Sequence, residues 1–472
     1  MHVLTRLAFF GEAYATLKSA LLVGVYVAVF SLTPPELQQR AEHQPYPDPI
    51  HGHIALPIWL VEVLREKTVR RMLFIRQLGL KAYIDFPGAI HTRYSHSLGT
   101  MHLAGKVADL LVRKERIAGN ENIARTLEQN HTNLMAAGFF HDLGHGPFSH
   151  AVDFVMKKLT GKTHEDISAA LLDATDISSI EHFGVTIGSV KQIITAKHDF
   201  PFLNGIVNGP LDVDKLDYLL RDSYHVGLRY SFDLDHFIET FRVLGDQTEL
   251  EECELGLEYN AEARTTTEIF LIIWKSMYEL VYNKERSRVA EKMLEKAILI
   301  ATQNENGSEL KSYFTEIGKY AELHDEMLLE KLKNAGEQAC TLVKMIESGS
   351  VFSILVDDEL ASTESLDLSE LFLDELVKKD EAEVAEDLTE LLTSKLGCEK
   401  YDVICDIIKG KVPHTIHMDK KVEEEPLELK QDSEVVRALV GKNRIRVYSK
   451  PGLNLDAETV RRHLNEALTS WK

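Results

Sequence analysis

A mainly α-helical fold with a small β addition is predicted by three features. Apolar residues recur at three- and four-residue spacing from about residue 50 to 300, prolines gather ahead of that region, and two short runs alternate as strands do. Residues 1–47 read as an N-terminal extension. Within it Ser19–Leu32 is an almost wholly apolar stretch of 14 residues, against the roughly 20 needed to cross a bilayer. It reads as a packed helix or an upstream extension, with a membrane anchor or a signal peptide as the other readings; the residues before it are weakly basic and no small-x-small cleavage site follows. Pro34, Pro35, Pro45, Pro47 and Pro49 then make 33–50 a linker that no helix can cross.

Residues 48–302 form the predicted core. Leu60, Val63 and Leu64, and Leu103, Val107, Leu110 and Leu111, keep helical spacing. A long helix is expected over Thr265–Ala301, with Thr265 and Glu268 as a capping box and Ile269, Ile273, Met277 and Val281 as a core stripe. The runs 255–259 and 445–448 are the expected strands. Residues 303–472 form a helical and mixed C-terminal region of possible regulatory or oligomerising role. Its acidic stretch, Asp357–Glu390, carries 14 acids against Lys378 and Lys379, with leucines at near-helical spacing, and is expected to form amphipathic helices with a solvated face.

Of 472 residues, 44% are hydrophobic and 27% charged, which suits a globular enzyme of one large core or two to three packed domains. Four scattered cysteines with no CxxC pair exclude a disulfide framework and fit a reducing cytoplasm. A net charge of −21 argues against stable binding to nucleic acid or to an anionic membrane. Between Val61 and His96, however, seven Lys and Arg face three acids, a patch able to attract an anionic ligand.

The chemistry is concentrated in His141-Asp142-Leu143-Gly144-His145-Gly146-Pro147-Phe148-Ser149-His150, which follows the apolar run Leu134–Phe140. An imidazole and a carboxylate therefore sit at the end of a buried helix, beside glycines that leave room for a ligand. His96 lies upstream, and Asp212, Asp214 and Asp217 cluster downstream in LDVDKLDY. Imidazole with carboxylate suits a divalent ion of borderline character. Gly161-Lys162-Thr163 looks like the end of a phosphate-binding loop, but Met156 stands where such a loop requires glycine.

Taken with Asp48–His53, Gln77-Leu78-Gly79, Phe86–Ala89, His96–Gly99 and Thr163-His164-Glu165, these runs resemble the HD-domain deoxynucleoside triphosphate triphosphohydrolases, in the branch of the mammalian SAM-and-HD-domain enzyme, from about residue 48 to 300. No SAM domain precedes them in this sequence. The resemblance implies an HD-domain helical core and one divalent ion, Mn, Fe, Zn, Ni, Co or Mg, held by His96, His141, Asp142 and Asp214. It gives His164 the task of protonating the leaving group, with Asp153 orienting it or raising its pKa, and gives Arg93 a phosphate. His145 and His150 would contact phosphate or the attacking water. Lys215, Tyr218 and Asp222, on one helix face, would hold phosphates and the sugar 3′-hydroxyl, while Gln77 and Leu78 would contact the sugar; Gln77, Leu78 and Asp222 also suit ordinary packing roles.

The sequence departs from the branch where an activating guanine nucleotide binds, since Arg65 and Leu73 occupy those positions. A phosphate-binding arginine on the late helix is replaced around Trp274-Lys275, leaving Lys275 or Lys284 as substitutes. The expected reaction is hydrolysis of a deoxynucleoside triphosphate to deoxynucleoside and triphosphate by a homo-oligomer, dimer or tetramer, the assembly resting on the resemblance alone. One alternative is a phosphodiesterase or nucleotidase acting on a cyclic dinucleotide, a nucleoside monophosphate or a nucleic-acid end. The other is a nucleotide-sensing scaffold with a structural HD site.

Overall fold

Thr92 starts the helix on which the rest of the structure is built. Its backbone N–H donates to Ser95 Oγ (3.3 Å), and the helix (α1, Arg93–Ala118) ends at Gly119, whose φ of 83° suits a residue without a side chain. The computed structural model describes residues 45–303, 308–360, 381–399, 401–410, 415–419, 426–439, 441–469 and 471. The apolar segment Ser19–Leu32 and the middle of the acidic stretch, 361–380, lie outside the described residues. No described helix is long and apolar enough to cross a membrane.

A hairpin of β1 (Tyr46–Asp48) and β2 (Gly52–Ile54) precedes α1, so the end of the expected 33–50 linker is strand and turn. α1 packs antiparallel on α2 (Glu121–Phe140). The apolar end of α2 is fully buried, with Trp59 packed against Phe139 and Phe140; truncating either Phe would cost about 3–5 kcal/mol. Two short helices follow, α3 (His150–Thr160) and α4 (His164–Ala174). Gly161-Lys162-Thr163 is the turn between them: Gly161 closes α3 with φ 70° and Thr163 caps α4. Next comes α5 (Val213–His225), whose N-cap Asp212 accepts from Lys215 N (2.8 Å).

The long helix expected over Thr265–Ala301 is two helices, α6 (Ala261–Met277) and α7 (Glu285–Gln303), joined by a π-turn over Tyr278–Tyr282. The cap is Asn260, which accepts from Ala263 N (2.7 Å) five residues before the capping box expected at Thr265 and Glu268. Ile273, Met277 and Val281 are buried as expected, whereas Ile269 faces solvent at 45% exposure. Strands β3 (Phe241–Leu244) and β4 (Glu254–Glu258) open a four-stranded sheet completed by β7 (His417–Asp419) and β8 (Leu427–Glu428).

In the C-terminal region, β5 (Ser353–Glu359) and β6 (Val403–Ile408) flank β9 (Arg444–Ser449) in an antiparallel sheet. Helices α8 (Glu381–Leu396) and α9 (Ala457–Thr469) share a second apolar core with it. The start of the acidic stretch is thus strand, because Asp357 and Glu359 pair across strands with Arg444 at the sheet margin. Residues 310–346 belong instead to the main core, together with α1 to α7.

Gly99 is where α1 and α5 meet most closely. A Cβ at that position would stand 1.9 Å from Asp217 Oδ1 and 2.6 Å from Arg221 Nη2. Gly99→Ala is therefore expected to force the helices apart at a cost of roughly 1–3 kcal/mol, read as a lowered thermal midpoint. An unchanged midpoint would show that the contact is slack.

Candidate metal centre

Three helix ends bring four side chains to one point. His96 comes from the first turn of α1, His141 and Asp142 from the residues that end α2, and Asp214 from the first turn of α5. Ligand-type atoms of His96, His141 and Asp214 all lie within 4.8 Å of one another, as do those of Asp142, His145 and His164. Asp142 connects the two groups: its oxygens stand 3.5 Å from His96 Nε2, 3.2 Å from His141 Nε2 and 3.4 Å from His145 Nε2.

The orientation of the two imidazoles is the informative feature. His96 Nδ1 bonds Asp217 Oδ2 (2.7 Å) and His141 Nδ1 bonds the Gly138 carbonyl (2.9 Å). Both partners are acceptors, so each ring donates from Nδ1 and aims Nε2 inward. Both Nε2 atoms are buried and make no aligned hydrogen bond, although Asp214 Oδ1 lies 2.9 Å from the first and 3.6 Å from the second. Buried, unpaired imidazole nitrogens facing two carboxylates fit a divalent cation.

The electrostatics agree. Burial disfavours the charged form of His96, yet Asp214 and Asp217 outweigh it and raise its pKa to about 10. Burial likewise opposes ionisation of Asp142, but Arg93 and the histidines hold it well below the usual carboxylate range. The cluster is built to keep positive charge beside its carboxylates, a role that an ion fills directly.

Beyond this group His145 and His164 stack face to face, ring centres 3.9 Å apart and planes 17° from parallel. Burial and the charge on His145 push His164 down to about 4. His145 is held up at about 9 by Asp153 and Asp142, against burial and Arg93. The described hydrogen bond of Asp153 is to His145 Nδ1 (3.2 Å), so Asp153 reaches the expected donor His164 through the stack. Gly144 permits this approach, since a Cβ there would fall 2.1 Å from the His164 carbonyl.

Arg93 pairs with Asp142 and donates from Nε to Ser149 Oγ (3.0 Å), engaging two of its five N–H groups. His150 opens α3; its side chain lies outside the described part of the structure. Gln77 is buried with Oε1 unpaired, and Leu78 is part of the main core. Lys215 Nζ bonds Asp212 (2.7 Å) and the Gly209 carbonyl (2.9 Å). Tyr218 packs edge-on to Tyr282. Asp222 is committed to internal partners, His91 Nε2 (2.7 Å) and Tyr282 OH (2.8 Å). Lys275 pairs with Glu279 (3.9 Å) and Lys284 lies over the Phe86 ring.

Sequence reasoning did not assign the residues that orient the site. Asp217 accepts from His51 Nε2 (2.6 Å), from His96 and from both sides of the Arg221 guanidinium (2.8 and 2.9 Å). Arg221 also donates to Asp48 Oδ2 (2.8 Å). Asp217 lies in the motif already singled out, three residues after Asp214, and that spacing was the available signal.

Residues 93–222 match the HD domain and residues 240–469 the HD associated region. The chain is 30% identical over 334 residues to the deoxynucleoside triphosphate triphosphohydrolase SAMHD1 homolog of Dictyostelium discoideum, covering 68% of this chain and 61% of that protein. It is 30% identical over 355 residues to human deoxynucleoside triphosphate triphosphohydrolase SAMHD1, covering 65% and 54%. An uncharacterised protein of Methanocaldococcus jannaschii, MJ1154, is 30% identical over 260 residues, covering 55% and 50%. The chain thus spans about half to three fifths of the length of these relatives. With an HD domain followed by an HD associated region, and with its His and Asp side chains gathered as described, the chain belongs to the HD-domain family and is similar over part of its length to the SAM-and-HD-domain enzymes.

Proposed function

We propose that the chain is a metal-dependent triphosphohydrolase that converts deoxynucleoside triphosphates to deoxynucleoside and inorganic triphosphate. The observation that carries this reading is the pair of buried, inward-facing Nε2 atoms of His96 and His141 beside Asp142 and Asp214. These four residues would hold a divalent ion, which when bound polarises phosphoryl oxygens and lowers the pKa of water. Arg93, fixed by Asp142 and Ser149, presents its planar fork to phosphate oxygens. Lys215, partly exposed at the start of α5, adds a second positive charge on the same side as Asp214. The departing 5′-oxygen takes its proton from the His145–His164 stack, whose charge is kept there by Asp153. Gln77, whose buried carbonyl oxygen has no hydrogen-bond partner, would meet a sugar hydroxyl. The substrate named for the relatives, a deoxynucleoside triphosphate, supports the same choice. Homo-oligomerisation and a cytoplasmic location are part of this proposal; the four cysteines are unbridged.

The test is to incubate the purified chain with each deoxynucleoside triphosphate and with Mn, Mg, Ni, Co, Fe or Zn, and to identify the phosphate product. Triphosphate is expected. Release of pyrophosphate or orthophosphate, or cleavage of phosphodiesters alone, would sink the reading. His164→Asn should lower kcat by about 10²–10⁴-fold while leaving metal content unchanged; a variant that loses its ion instead would make His164 a ligand.

A further inference from the structure

The turn that carries the chemistry, residues 143–149, is neither helix nor strand, and its backbone polar groups need partners. Several come from outside the region where the HD motifs lie. Tyr320 OH donates to the Gly144 carbonyl (2.7 Å), and Arg71 donates to the Leu143 carbonyl. Asp325 accepts from Phe148 N through one oxygen (2.8 Å) and from Arg76 N through the other (2.9 Å). Arg71 also donates to the Leu323 carbonyl (3.2 Å) and lies over the Tyr320 ring. Arg71, Tyr320 and Asp325 are all buried, at 3%, 1% and 0% exposure.

Two details make this more than packing. Phe148 and Ser149 have φ of 55° and 51°, a conformation that costs side-chain-bearing residues about 1–3 kcal/mol each and persists only where neighbours enforce it. Ser149 is also the partner of Arg93, while Arg76 immediately precedes Gln77. One carboxylate from the C-terminal region therefore ties the turn of His145 and Ser149 to the loop of Gln77.

We propose that Asp325, with Tyr320 and Arg71, is a positioning clamp that fixes the His145–Ser149 turn against the Gln77 loop, so that the segment 317–325 is a working part of the active site. This rests on the reading of the site as catalytic. Burial raises Asp325 to about 7, with Glu326 adding to the rise and Arg76 and the two backbone N–H groups opposing it; Arg71 and the Tyr83 hydroxyl also face it. Ionised, its two oxygens accept both N–H groups. Protonated, one oxygen becomes a donor facing an N–H. The clamp thus closes as pH rises through about 7. Stability runs the other way: a carboxyl raised in the folded state contributes fully below its ordinary value of 3.8 and loses that contribution as pH rises through about 7.

The test compares wild type with Asp325→Asn and Tyr320→Phe in the full chain. Asparagine keeps the shape but accepts one N–H and opposes the other with its own. Asp325→Asn is expected to keep its ion content and to lose kcat by about ten- to a hundredfold, with the rise in rate near pH 7 gone. Tyr320→Phe, which removes one hydroxyl and leaves the ring, is expected to lower kcat by about three- to tenfold and to keep that rise. Should Asp325→Asn not fold, the Tyr320→Phe rate alone decides. A kcat within twofold of wild type in the folded variants, or a retained pH limb in Asp325→Asn, overturns the proposal. If the wild type hydrolyses no nucleoside triphosphate, the proposed function fails on its own; the clamp is then judged by amide hydrogen exchange. Exchange about tenfold faster at Arg76 and Phe148 in Asp325→Asn supports it, and unchanged exchange at both overturns it.

Discussion

Asp142→Asn is expected to abolish hydrolysis and to release the bound ion while leaving the fold in place. Asp142 meets His96, His141, His145 and Arg93 at once, so its charge acts on both halves of the site. Even residues that merely support a metal ligand change affinity by about 10–100-fold when replaced, and a neutral amide in place of an anionic ligand should exceed that range. Asparagine can still accept from Arg93, so the structural loss is that of a charge-assisted hydrogen bond, about 1.5–3 kcal/mol. The pH dependence follows from the sign of the shift. Asp142 is held well below the usual carboxylate range, so its contribution to stability is present above the ordinary value of 3.8 and disappears only as pH falls through the lower folded value. The variant should therefore be less sensitive than wild type to acid below about pH 4. Elemental analysis, circular dichroism and a product assay check all three points; wild-type ion content with a tenth or more of wild-type activity would contradict the assignment of Asp142 as a ligand.

The metal group was legible because its members fall into short, dense motifs: His141-Asp142 at the end of an apolar helix, and Asp214 one turn into a capped one. What those motifs did not disclose is how the ligands are held. His96 is oriented by Asp217, which is in turn fixed by His51, 166 residues away in sequence, and by Arg221. Contacts at that separation leave no mark on local periodicity. The same limit explains Tyr320 and Asp325, whose partners are backbone atoms of distant loops. Asp153 was expected to orient His164 or to raise its pKa; its charge does act upward on His164, and it also bonds His145, a stacked neighbour that spacing along a helix does not disclose. In the fold, Val403–Ile408 escaped as a strand because all six residues are buried; a strand covered on both faces shows no alternation. The break at Tyr278–Tyr282 escaped because neither proline nor glycine marks it, and the apolar stripe continues through Met277 and Val281.

Asp217→Ala should be the most destabilising single change in the site, and its effect should separate support from ligation. Asp217 touches no ion-facing Nε2 atom, yet three buried groups depend on it: His51, His96 Nδ1 and the Arg221 guanidinium. Alanine leaves Arg221 buried with Asp48 as its remaining described ion pair. Breaking a buried pair by removing one partner costs about 3–5 kcal/mol, because the orphaned charge keeps its desolvation penalty. The loss also frees His96 to turn or to change tautomer, so metal affinity should drop by about 10–100-fold. Asp217→Asn sharpens the point. An amide preserves volume and one acceptor but cannot accept from His51, His96 and both sides of Arg221 together, so it should recover part of the stability without recovering affinity. Triple replacement of Asp217, Arg221 and Asp48 by Ala, Met and Asn should be less harmful to folding than Asp217→Ala alone, since it removes the buried guanidinium together with its remaining carboxylate partner. It should still bind the ion poorly, because His96 remains unanchored. Thermal unfolding with and without added metal measures both quantities; a triple variant that regains affinity along with stability would mean that Asp217 holds the fold and not the ligand.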